Sequence, residues 1–114
     1  MAKRAHSLLL EVLTITEQSG SKRAGQSALE VCAGLAALRK DWGHAARFYG
    51  VAEHQTGYTG IRRDPADDAF LRPLMSRAHD ALGDAAFAAS QAAARELTYE
   101  QGIAEAQAWL ARED

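Results

Sequence analysis

The sequence predicts an all-α fold of antiparallel helical hairpins, about six helices in a single domain over residues 1–114. Three observations carry this. Apolar residues recur at helical spacing along most of the chain, and residues that cap or stop helices stand between those stretches. No stretch shows the period-two alternation of a half-buried strand.

From Arg4 to about Gln18, Leu8, Leu9, Val12, Leu13 and Ile15 form a wide apolar stripe with Glu11 and Glu17 outside it, which predicts a first helix. Gly20 and Ser21 end it, and Lys22 to Gly25 carry the turn. The chain is then organised around Ala28 to Glu53. Ala28, Cys32, Leu35 and Leu38 recur at helical spacing, and so do Ala45, Phe48, Tyr49 and Ala52, so each segment has one face to bury. Between them, Lys40-Asp41-Trp42-Gly43 breaks the period, a connection short enough to force an antiparallel hairpin. Ala33 and Gly34 are small where two helices would approach closely.

His54 to Asp64 contains Gly57 and Gly60 and no sustained period, so it reads as a linker. Asp64-Pro65 then suits a helix start, with Asp67 and Asp68 at the positive end of the dipole. Phe70, Leu71, Leu74, Met75, Ala78 and Leu82 form its apolar face; Pro73 implies that the helix starts late, near Ala69, or is kinked. Gly83 closes it, and Asp84 caps an alanine-rich helix from Ala85 to about Glu96 with Phe87 as its large apolar residue. Alanine permits close axial approach, so this helix is expected to pack tightly between its neighbours. Thr98 with Gln101 fits a capping box and opens a last helix, whose face carries Tyr99, Ile103, Ala106 and Leu110, with Trp109 off that face.

Composition excludes several function classes. The chain is 47% hydrophobic and 25% charged, and no apolar run nears the ~20 residues of a membrane span. Met-Ala-Lys-Arg is followed by no proper signal peptide, so the chain reads as cytoplasmic. A net charge of -2 argues against direct nucleic-acid binding, and the basic pairs Lys3-Arg4, Lys22-Arg23, Arg39-Lys40 and Arg62-Arg63 are scattered. The one cysteine, Cys32, falls on an apolar helix face and reads as a buried, inert thiol.

Catalytic and cofactor motifs are not found. His6, His44, His54 and His79 make no metal-ligand spacing with one another or with carboxylates, and there is no CxxC, phosphate loop or dinucleotide fingerprint. Glu53 and His54 are neighbours in sequence and should point to different sides of a helix, each solvated. Asp64, Asp67 and Asp68 lack the spacing of a calcium loop. No catalytic, cofactor-binding or metal-binding residue is therefore named. Exposed aromatics are the remaining hint: Trp42 in the hairpin turn and Tyr58 in the linker either fold back over a helix end or face a partner.

The central hairpin resembles a tetratricopeptide (TPR) repeat, its second helix carrying Ala45, Tyr49 and Ala52 at spacings of four and three. It departs from that pattern at Cys32 and Ala36, where larger residues are usual, and it lacks the closing proline. With the tail ALGDAAFAASQAAARELTYEQGIAEA, the region from Leu8 to Leu110 resembles the C-terminal helical part of LuxR-type and predicted-ATPase bacterial transcriptional regulators. The resemblance implies a piece of a larger regulator, a non-catalytic protein-interaction or regulatory module with a protein partner. Trp42, Arg47 and Tyr49 are the candidate partner-binding residues. Two alternatives stand beside it: a stand-alone small helical homodimer with the first helix as its interface, and an enzyme or metalloprotein.

Overall fold

The computed structural model describes residues 22–60 and 65–113, and among them five helices and no strand. They are α1 (Lys22–Leu38), α2 (Trp42–Thr59), α3 (Pro65–Leu82), α4 (Asp84–Arg95) and α5 (Tyr99–Glu113). The chain is all-α, as its periodicity requires. The helix expected over Arg4–Gln18 lies outside the described residues.

α1 begins at Lys22, so Lys22 to Gly25 form helix rather than the expected turn. Lys22, Arg23 and Ala24 are good helix formers, and a lone Gly25 costs only about 1 kcal/mol. α1 ends in a Schellman motif: the N–H of Lys40 donates to the carbonyl of Ala37 at 3.0 Å and that of Asp41 to Ala36 at 2.8 Å. Lys40 takes the left-handed conformation there, with φ 63, the position usually given to glycine. Trp42 is consequently not in the turn. Asp41 caps α2, accepting from the N–H of His44, and Trp42 and Gly43 are its first two residues. The helix start is decided by the Asp41 side chain, which outweighs the turn preference of Gly43.

α2 also runs on through most of the expected linker, to Thr59, and stops at Gly60, whose φ of 70 gives the left-handed cap. What holds this extra turn and a half is packing against α1. Gln55 is buried, and the Nε2 of buried Gln26 near the start of α1 donates to the Thr56 hydroxyl at 3.1 Å. A short turn at one end and the Gln26–Thr56 bond at the other make α1 and α2 an antiparallel hairpin.

α3 starts at Pro65 and runs through Pro73 to Leu82, which removes the late start near Ala69. Pro73 and Ala69 are both exposed, so the carbonyl that the proline leaves unbonded meets water. Gly83, at φ 86, separates α3 from α4; it is the N-cap residue itself, and Asp84 is the first residue of α4 rather than its cap. The capping box of α5 is as expected, with Gln101 N–H to Thr98 Oγ1 at 3.1 Å and Thr98 N–H to Gln101 Oε1 at 2.9 Å.

α2 is the central element, packed against each of the other four helices. Phe48 is fully buried in it, alongside Leu29, Leu71, Ile103 and Leu110 from its neighbours. α5 lies antiparallel to α2, pairing Asp41 with Trp109, Arg47 with Glu105, and Val51 with Gly102. α4 crosses α2 at Gly50, where the two backbones approach so closely that a Cβ there would stand 2.8 Å from the Cβ of Ala94. Close approach of the alanine helix is thus realised, but only on one side: its buried residues are Phe87 and Ala94, and most of its alanines face water.

Three large side chains do not take the side of the helix that spacing assigns them. Trp109 is 2% exposed, whereas Leu38 and Phe70 are 58% and 52% exposed. The ring of Phe70 lies across Gly34 on α1 instead of entering the core, its Cε2 only 2.7 Å from where a Cβ of residue 34 would be.

Candidate functional site

The three expected partner-binding residues all fall on α2 but not on one surface. Trp42 and Tyr49, seven residues apart and so on one side of the helix, are both half-buried against the core. Arg47 faces α5, where its guanidinium donates through Nε and Nη2 to the two carboxylate oxygens of Glu105, the latter bond at 2.8 Å. That bond raises the Arg47 pKa first, partial burial opposes it, and the Glu105 charge adds to it. The fork-to-carboxylate pairing fixes α5 against α2, and its partial exposure keeps it from being strong.

The Asp41 carboxylate gathers several contacts. Beside capping α2 it meets His44 Nδ1 at 2.9 Å and accepts from the indole Nε1 of Trp109 at 2.8 Å. The Trp109 ring stands edge-on to Phe48 at 5.7 Å, and His44 lies 5.6 Å from Phe48. Burial works against the Asp41 charge, yet the hydrogen bonds from Trp109 and His44 outweigh it and hold the carboxyl below its ordinary range. The carboxylate of this aspartate–histidine pair is engaged on several sides at once. Its atoms tie a helix start to the end of the chain. A buried indole needs a partner for its N–H, and that requirement, readable only once Trp109 is known to be inside, explains the tie.

Other titratable groups are similarly placed. His79 stacks on Phe87 at 4.6 Å, with its Nε2 2.5 Å from Asp84 Oδ1, which pins the α3–α4 corner. Cys32 is fully buried, and burial pushes its thiol up to about 12, so it carries no thiolate for chemistry. Glu53 and His54, expected on different sides of the helix, both line a cleft of about 220 Å³ with Gly50, Gln91 and Arg95, because α4 crosses α2 at Gly50 and its far end forms the opposite wall. Among the described residues no three His, Cys, Asp or Glu side chains gather as a metal site, and no helix is long and apolar enough to cross a membrane.

The remaining feature is apolar. Among the described residues, Val31, at 50% exposure, joins Leu38 and Phe70 as the exposed large hydrophobic residues. All three lie on one face: Val31 and Leu38 are two turns apart on α1, and Phe70 covers Gly34 between them. At one end of this face, Ser27, Glu30, Val31 and Phe70 bound a recess of about 60 Å³. Spacing alone hid it, because Leu38 and Phe70 belong by period to faces that the sequence assigns to the core.

No family model, curated protein or solved structure matches the chain.

Proposed function

We propose that the chain is a non-catalytic protein-interaction module, the TPR-like C-terminal part of a bacterial transcriptional regulator or signalling ATPase. One observation carries the reading: among the described residues the exposed large apolar side chains, Val31, Leu38 and Phe70, share a single face on α1 and α3. Apolar area concentrated on one face marks a surface for another protein more often than scattered apolar residues do. The antiparallel α1–α2 hairpin, tied at its open end by the Gln26–Thr56 bond, is the feature that supports a TPR-like architecture. In such arrays a partner helix lies against stacked helix pairs and buries its apolar side there. A thiol held protonated by burial and an aspartate engaged in capping favour the non-catalytic reading over an enzyme.

The test compares the immobilised wild-type chain with Leu38→Asp, matched for helicity and melting temperature, in an extract of the source cells. The wild type should retain a protein in stoichiometric amount that Leu38→Asp loses. Equal retention by both, or none by either, overturns the reading.

A further inference from the structure

We infer that the α1–α3 face takes a second copy of this chain, packed antiparallel, α1 on α1, about a two-fold axis beside Gly34. The inference rests on the reading of that face as an interaction surface and names its partner. The face carries both a knob and a hole. Leu38 projects from it at 58% exposure, and the recess bounded by Ser27, Glu30, Val31 and Phe70 is open beside it. A chain cannot seat its own Leu38 there, because seven residues of helix hold Leu38 about 10 Å from Val31. A copy related by a two-fold can. Such an axis brings Leu38 of each chain opposite Val31 of the other, so both knobs fill both holes at once, the self-complementarity that an isologous dimer requires.

The centre of the contact suits this packing. Midway between Val31 and Leu38 stands Gly34, without a side chain of its own, and Phe70 lies over it, so the two Phe70 rings meet at the axis. The rest of α1 is occupied: Leu29, Cys32, Ala33 and Ala36 are fully buried. Among the described side chains of α1, the exposed ones, Ser27, Val31 and Leu38, lie on the stripe bearing the knob and the hole. This dimer is carried by α1 and α3. Three apolar side chains per copy make a small interface, below the ~1,200 Å² of the standard size class, so association belongs in the micromolar range.

Sedimentation equilibrium of the full chain from about 1 to 500 μM tests this, a range that spans weak-dimer affinities. The wild-type mass should rise from 12.3 kDa toward twice that value. Leu38→Asp, at an exposed site where folding is spared, should weaken association at least ~10-fold, the effect of bringing a carboxylate against Val31, Phe70 and the like charge of Glu30 in the recess. Orientation is read by oxidising a mixture of Val31→Cys and Leu38→Cys chains. These should cross-link to each other, and each variant alone should not, since like positions stand about 10 Å apart, beyond disulfide reach. A wild type that stays monomeric throughout, a dimer indifferent to Leu38→Asp, or self-cross-linking of either variant alone overturns the inference. If the wild type is monomeric but a different protein is captured in a Leu38-dependent manner, the second copy is wrong and the interaction-module reading stands.

Discussion

Replacing Gly50 by alanine puts a methyl group into the close crossing of α2 and α4. The new Cβ would lie 2.8 Å from the Cβ of Ala94 and 3.2 Å from the Cα of Gln91. Carbon atoms pack at about 3.5–4.0 Å, so α2 and α4 must separate by roughly 1 Å. Neither neighbour can rotate away, because one atom is backbone and the other is fixed to it. α4 buries only Phe87 and Ala94, so lifting it there loosens most of its hold on the core. Overpacking of this kind costs about 1–3 kcal/mol, while alanine returns about 1 kcal/mol of helix propensity. Gly43→Ala in the same helix is the control. Nothing lies within 4 Å of its Cβ, so it should stabilise by about 0.4–1 kcal/mol. The difference between the two variants isolates the steric cost, about 1–3 kcal/mol, or roughly 4 °C or more in melting temperature. Urea unfolding followed by circular dichroism measures it. If Gly50→Ala stabilises as much as Gly43→Ala, the close α2–α4 crossing does not exist and the packing of the alanine helix must be redrawn.

Two further outcomes concern titratable groups. Asp41 has a folded-state pKa below its unfolded value, so its contribution is complete above the unfolded value near 3.9 and is lost as pH falls through the folded one. Acid unfolding of Asp41→Asn should therefore be shallower than that of the wild type below about pH 4, and superimposable profiles would remove the Trp109–Asp41–His44 tie from the account. Cys32, raised to about 12, should react with a disulfide reagent at pH 8 roughly three orders of magnitude slower in the native chain than in urea. A fast native reaction would show that α1 is not packed as described.

Much of the fold was legible because it rests on local chemistry. Thr98 and Gln101 cap each other across three residues, and Gly83 must supply a positive φ, so those boundaries follow from short-range rules. Phe48, Ile103 and Leu110 recur with the helical period and are inside. Boundaries set by distant contacts were not legible. α2 outruns its expected end where Gln55 is buried and Thr56 is held by Gln26 of α1, thirty residues back in the chain. Glu53 and His54 meet in one cleft because another helix crosses there, which no spacing rule between neighbours contains. Of the expected partner-binding residues, Trp42 and Tyr49 lie half-buried and Arg47 is bonded to Glu105, while Val31, Leu38 and Phe70, which spacing did not single out for a partner, share an exposed face on α1 and α3.

The sequence by itself determined that this protein is helical, roughly where its helices lie and which positions each could bury, since capping, glycine stops and a period of 3.6 act over a few residues. Only the tertiary structure decided which side chains at the margin of each apolar face were covered. Trp109 went inside because Asp41 offers its indole an acceptor, and Phe70 stayed outside because its ring found Gly34 first. Those choices depend on where a second helix passes, and that is fixed by contacts between residues dozens of positions apart, which local periodicity does not encode.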